Sequence, residues 1–336
     1  MEVMEVSVVE SVRKWGGSTT DAILDPSCLI FRTPEVDGLI GYRTENGCAV
    51  VFGDPVCSAL QTHLLTQVFH EFCAKEKLRV IYLIVSEEFA RWLFQNRYAK
   101  VMIEYGEELI LDPHDDPRKK EGVYASLVRR KTRHALHENV VVHEYIPFAD
   151  EIEKEIIQVG EKWLEARKGP QIHLSHLRPF DHREGKRWFY AQKNEQIVGA
   201  LILNRLEKYQ GWLLNHLTFT PKAPHGVPEL LIVSALETLL QEDCKHVTFG
   251  TVPGNQLGEI IGLGSFSKYF LRGIYNLANL TYHLSGKKKF WEKFGPSSKK
   301  AFVTFEKPIL GLQEALAIKK ALNATFNGVH HTILKK

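Results

Sequence analysis

One step is written twice in this chain, and it constrains the fold more than any other feature. An apolar, strand-like run ends in a polar turn, a helix follows, and a second apolar run closes the unit. The first copy is the strand 49–52, the turn Gly53-Asp54-Pro55-Val56, the helix 60–75 and the strand 80–85. The second is the strand 211–219, the loop 220–226 (TPKAPHG), the helix 228–241 and the strand 246–249. In the first helix Leu64, Leu65, Val68, Phe69 and Phe72 recur at helical spacing. In the second, Pro228 opens the helix, where a missing N–H costs nothing.

The flanking segments repeat a plan as well. Val3, Val6, Val9 and Val12 suit one face of a helix over 1–15, which Gly16-Gly17 would end. Strands are expected at 28–32 and 39–43, with Asn46-Gly47 as a hairpin turn before the strand 49–52. A helix at 87–94, a strand at 101–111, a polar loop at 112–123, a basic helix at 126–137 and a strand at 140–145 complete the first half. The second half opens with a helix at 150–166, carrying Ile152, Ile156, Val159 and Trp163 on one face. A polar loop over 167–187 and strands at 187–192 and 196–207 follow. Residues 271–284 and 301–305 read as the last strands, around a basic segment, and 310–322 as a closing helix. The expectation is an α/β chain with mixed sheets covered by helices, in two halves, 1–146 and 147–336.

Composition narrows the class. With 336 residues, 44% hydrophobic and 25% charged, the chain is neither disordered nor a disulfide scaffold, and it is long enough for a large core. The longest clean apolar run, 197–203, has strand length, whereas a bilayer span needs ~20 residues. The acidic N-terminus, MEVMEVSVVE, does not read as a secretory signal. Cys28, Cys48, Cys57, Cys73 and Cys244 are odd in number and form no C-x-x-C pair, so they are expected as reduced thiols of a cytoplasmic protein.

The repeated strand–turn–helix step matches two copies of an N-acyltransferase (GNAT) fold. Three segments of the second half are more specific: TFTPKAPHGVPELL (218–231), VTFGTVP (247–253) and YHLSGKKKFWEKFGP (282–296). With FGDP (52–55) and YGEELIL (105–111) from the first half, the chain resembles the C-terminal catalytic domain of the phosphatidylglycerol lysyltransferases. The resemblance runs from about residue 20 to 305, and only 286–296 is distinctive alone. It implies a tandem GNAT-like fold that moves an aminoacyl group from aminoacyl-tRNA to a lipid hydroxyl. The polytopic membrane region of the best-known members has no counterpart here. Lys288 stands where Arg is expected, Glu229 where Asp is expected, and Gly295 where an acid is usual, which leaves the substrate open.

Acyl transfer builds negative charge on a carbonyl oxygen and takes a proton from the attacking group. The resemblance puts Lys293, in the Glu-Lys-Phe segment, in the electrostatic role; a lysine in such a basic stretch otherwise reads as solvated surface. Glu229, in the first turn of a helix, is either a partner of the aminoacyl ammonium or a helix-dipole carboxylate. His225, in the loop leading into that helix, is a candidate general base, against the reading of a solvated loop histidine. Tyr282, Lys288, Gly226 and Asp54 are the candidate substrate-binding residues. Asp54 also reads simply as the aspartate of an Asp-Pro turn.

Neither turn carries the glycine-rich loop that holds a pyrophosphate, so no cofactor is expected and acetyl-CoA is the less favoured donor. Arg118, Lys119, Lys120, Arg129, Arg130, Lys131 and Arg133 put seven positive charges in sixteen residues against one acid. Lys287, Lys288, Lys289, Lys293, Lys299 and Lys300 put six in fourteen. Each cluster reads as a solvated face, as a contact for tRNA phosphates, or as an attraction to anionic phospholipid at the inner membrane surface. Phe290, Trp291 and Phe294 interleave with the second cluster, as interfacial or core aromatics. His134, His137, His143, His173, His176 and His182 have no metal-ligand spacing, so no metal is assigned. Two rivals remain: an acyl-CoA N-acyltransferase, and a non-catalytic GNAT-like protein that binds RNA or membrane.

Overall fold

The computed structural model describes residues 2–167, 176–282, 285–308 and 310–323. In chain order the first elements are α1 (Glu2–Trp15), α2 (Thr20–Ile23), β1 (Leu29–Thr33), β2 (Val36–Glu45), β3 (Cys48–Phe52) and β4 (Val56–Cys57). Next come α3 (Thr62–Lys75), β5 (Arg79–Ser86), α4 (Glu87–Gln95), β6 (Val101–Leu111), α5 (Val123–His137), β7 (Val141–Tyr145) and α6 (Asp150–Glu165). The remainder is β8 (Lys186–Lys193), β9 (Gln196–Leu206), β10 (Gly211–Phe219), α7 (Val227–Gln241), β11 (Val247–Pro253) and β12 (Ile260–Ile261). Then follow α8 (Ser265–Tyr282), α9 (Ser285–Glu292), β13 (Ser297–Phe305) and α10 (Leu312–Ala321).

One mixed sheet runs in the order β1-β2-β3-β5-β13-β6-β11-β10-β9-β8-β7, with β4 paired to β2 and β12 to β6. Both repeated steps fold as strand–helix–strand units with parallel strands, β3-α3-β5 and β10-α7-β11. The turn glycines release the chain from each strand, and the apolar helix face brings it back across the sheet. The strand order crosses the 146/147 boundary in two directions. β7 and the helix before it pack with the second unit, while β13 returns from near the C-terminus to lie antiparallel between β5 and β6. The two halves therefore share one hydrogen-bonded sheet, joined where β6 meets β11.

The core follows this division. Around α7 gather Leu201, Leu203, Leu231, Leu236, Phe249 and Phe294. In the first unit Phe69, Tyr82, Leu93 and Phe302 fill one face of the sheet, and Val50, Phe52, Ile81 and Phe305 the other. β3 and β5 are apolar on consecutive residues for this reason: helices cover both of their faces.

One expected element is of the wrong type. Residues 271–284 read as a strand, but α8 runs helically to Tyr282, and residues 283 and 284 lie outside the described residues. Its large apolar residues occupy both faces of the helix, so a short window hides the period of 3.6 and mimics a buried strand. The basic segment itself folds as the short helix α9, which its lysine-rich sequence does not signal.

Candidate active site

The two units differ in one geometric respect. β3 and β5 stay paired through five registered positions, Cys48–Arg79 to Phe52–Leu83. β10 and β11 are registered only at Trp212–Val247 and Leu213–Thr248, although they continue to Phe219 and Pro253. Their other neighbours explain the parting. β10 slips register against β9 between Leu214 and His216, and β11 slips against β6 between Thr248 and Thr251, where Gly250 has a φ of +77°. The strands splay at their C-terminal ends, the usual place for a ligand in an open α/β sheet.

Beside this splay lie Lys293 and Glu229. The loop from β10 delivers Glu229 in the first turn of α7, and the turn after α9 delivers Lys293. Lys293 Nζ donates to Glu229 Oε1 at 2.5 Å, and each residue is only 6% exposed. The ammonium also stands 3.7 Å from the centroid of the Phe290 ring and 5.4 Å from that of Phe294. Burial lowers the lysine pKa, the nearby Lys131 charge lowers it further, and the Glu229 carboxylate works in the opposite direction. Trp291 stacks on Phe249 of β11 at 4.4 Å, so the aromatic residues of the basic segment are core-facing and fix this turn to the splayed strand. The plain readings of a solvated lysine and an exposed dipole carboxylate therefore do not apply.

The N-terminus of α7 is covered by α5. Gly226 has a φ of +97°, and a Cβ there would meet the Lys131 carbonyl oxygen at 2.0 Å, so only glycine allows this approach. His225 is exposed and takes part through its backbone: its carbonyl lies 3.0 Å from His134 Nδ1. Arg129 is turned to the polar loop, donating to the carbonyls of Arg118 and Lys120 at 2.6 and 3.1 Å. Arg130 and Arg133 face solvent, and Lys131 is half-buried. In the second cluster Lys288 is paired with Glu107, Lys289 is exposed, and the side chain of Lys287 lies outside the described residues.

Asp54 is not in this group. It ends the first unit, where its carboxylate accepts from Ser86 N at 2.9 Å and from Ser86 Oγ at 2.7 Å. Burial raises its pKa against those bonds. Tyr282 ends α8, half-buried. His173 lies outside the described residues.

A carboxylate that sequence reasoning misses lies on the other face of the sheet from Lys293, since its neighbours Glu107 and Leu109 face α9 and the α7 core. Glu108, opposite Thr251 at the β6–β11 junction, accepts from Thr248 Oγ1 at 2.8 Å. Burial raises its pKa against hydrogen bonds from Thr248 and Ser18, and the charge of Asp54 acts in the same sense as burial. Glu108 is inside the YGEELIL segment, so a signal is present. Only the pairing of β6 with β11 puts it beside the second unit.

This arrangement defines a tandem GNAT-like fold, with a splayed strand pair in the second unit and a buried ammonium–carboxylate pair beside it. The chain belongs to the family of the phosphatidylglycerol lysyltransferase C-terminal domain, whose model matches residues 18–305. It is 22% identical over 264 residues to a phosphatidylglycerol lysyltransferase of Bacillus subtilis (strain 168), covering 77% of this chain and 30% of that protein. The chain thus spans less than a third of that relative's length. The fold is shared with L-PGS from Bacillus licheniformis, at a TM-score of 0.76 and 18% identity over 94% of both chains. A C-terminal domain (DUF2156) from Agrobacterium fabrum, described as that of a putative lysylphosphatidylglycerol synthetase, superposes at 0.74 with 17% identity over 96% of both. Among the described residues no helix is long and apolar enough to cross a membrane.

Proposed function

We propose that this chain is an aminoacyltransferase that takes an aminoacyl group from aminoacyl-tRNA and passes it to the hydroxyl of phosphatidylglycerol at the inner membrane face. The observation that carries this reading is the buried Lys293–Glu229 pair beside the splayed β10–β11 strands. An ammonium in a dry, aromatic wall stabilises a developing oxyanion far better than one in water. In the reaction the acceptor oxygen bonds to the ester carbonyl carbon. The carbonyl–ribose oxygen bond breaks, and the hydroxyl proton ends on the ribose oxygen. The exposed Arg130 and Arg133 on α5 suit tRNA phosphates. The name of the Bacillus subtilis relative supports lysine as the amino acid and phosphatidylglycerol as the acceptor.

A different donor, acyl-CoA, is disfavoured. Its pyrophosphate would sit on the N-terminus of α7, which the Lys131 carbonyl already approaches. No cofactor is part of the proposal.

The test is transfer of label from radiolabelled lysyl-tRNA into lipid, with phosphatidylglycerol vesicles as acceptor. The expected result is labelled lipid, with no transfer by Lys293→Met. Charged tRNA left intact across a panel of amino acids and lipids would refute the proposal, and a melting temperature raised by acetyl-CoA would favour the rival donor.

A further inference from the structure

The most unusual surface of the molecule is the outer face of α8. Phe266, Phe270, Gly273, Leu277 and Leu280 follow one another at spacings of three and four residues, flanked by Tyr269 and Ile274. Phe266 is 84% exposed, Tyr269 80% and Leu280 74%. The stripe is about 21 Å long at 1.5 Å per residue, and no charged residue lies within it.

The opposite face holds the helix firmly. Leu271 and Tyr275 pack on the first-unit core. The Arg272 guanidinium donates to the carbonyls of Leu257 and Gly258, and Asn279 Nδ2 to that of Asn255 at 3.0 Å. The Tyr275 hydroxyl lies 2.8 Å from the Gly254 carbonyl and 3.2 Å from that of Tyr105. These bonds tie α8 to the segment that leaves β11, at the splayed end of the second unit. The apolar stripe is therefore a fixed outer surface next to the candidate site.

Charge complementarity indicates what covers it. Two residues beyond α8 in sequence comes α9, whose sequence begins Ser-Gly-Lys-Lys-Lys, and Lys289 there is exposed. An uncharged apolar helical face followed by an exposed lysine matches an anionic lipid surface: the face enters the headgroup boundary while Lys289 meets phosphate. We propose that α8 is an interfacial anchor that seats this face in an anionic phospholipid bilayer and brings the splayed end of the second unit to the membrane surface. The inference rests on the reading of a lipid acceptor.

Co-sedimentation of the whole chain with phosphatidylglycerol-containing vesicles, pure phosphatidylcholine vesicles and no vesicles tests it. The expected result is binding that strengthens with phosphatidylglycerol content and falls roughly tenfold or more in Phe266→Ser/Phe270→Ser/Leu277→Ser. These side chains are exposed, so an unchanged melting temperature confirms that the variant is folded. Wild-type protein that stays in the supernatant, or a variant that binds as well as wild type, would overturn the proposal. So would a dimer in light scattering that the triple variant dissociates without any vesicle binding, because the face would then be covered by a second copy. Aminoacyl transfer to detergent-dispersed acceptor, measured in parallel, separates the two ideas. Transfer without α8-dependent binding removes the anchor alone, and binding without transfer removes the catalytic reading alone.

Discussion

Replacing Lys293 by Met separates a structural pair from a catalytic one. The substitution leaves the Glu229 carboxylate, 6% exposed, without its 2.5 Å partner. Breaking a buried ion pair from one side costs about 3–5 kcal/mol, and removing the ammonium from the face of the Phe290 ring adds ~1 kcal/mol. At about 2.1 cal/mol/K per residue, a chain of this length has an unfolding entropy of ~0.7 kcal/mol/K. The single variant should therefore melt ~6–9 °C below wild type. Combining it with Glu229→Gln removes the orphaned charge and should recover more than half of that loss. Activity should behave differently. If the ammonium stabilises the oxyanion, the double variant regains stability but transfers no label. Two results would refute the reasoning. A single variant melting within about 1 °C of wild type would mean that the pair is not buried and coupled as described. A double variant that regains transfer would mean that the pair only holds α9 against α7.

Gly226→Ala should destabilise by at least ~1–3 kcal/mol from the positive φ alone. It should also push α5 away from α7, read as a lowered urea midpoint and as faster amide exchange in α5. Arg130→Gln/Arg133→Gln should leave the melting temperature within error, because both residues are solvated. It should weaken aminoacyl-tRNA binding and flatten the log–log salt slope by about 0.7–0.9 for each phosphate that is no longer neutralised. His70 supplies an acid-sensitive element. Its Nε2 is buried without a hydrogen-bond partner, and burial lowers its pKa from 6.5 to about 4. The folded pKa lies below the unfolded one, so only the unfolded chain takes up the proton in that window. Stability is full above pH ~6.5 and falls by about 3 kcal/mol as the pH drops towards 4. The unfolding free energy of wild type relative to His70→Phe, from urea titration, should fall by that amount from pH 7 to pH 4.

Much of the architecture is legible in the sequence because its signals are local. Apolar runs and Gly/Pro turns mark both strand–helix–strand units, and the helical spacing in 60–75 places α3 within two residues of its start. α8 reads as a strand because its apolar residues serve two environments: Leu271 and Tyr275 face protein while Phe266 and Leu277 face outward. Lys293 and Glu229 both stand out in the sequence, but the 2.5 Å approach between them does not. They are separated by 64 residues and by the whole of β11 and α8, and composition in a lysine-rich stretch argues for solvent. Glu108 stays hidden within YGEELIL, since nothing local distinguishes it from Glu107.

The sequence by itself determined where most strands, turns and helices fall, α8 and α9 excepted, because backbone propensity and hydrophobic period are properties of neighbouring residues. It also carried the family resemblance, in short motifs that survive intact. Only the tertiary structure decided which lysine is buried and which is solvated, and where β10 and β11 part. Those outcomes depend on partners far apart in the chain: aromatic rings from α9 set against β11, and the Lys131 carbonyl against Gly226. Burial and pairing fix a charge's energy, and neither is a property of the residue alone.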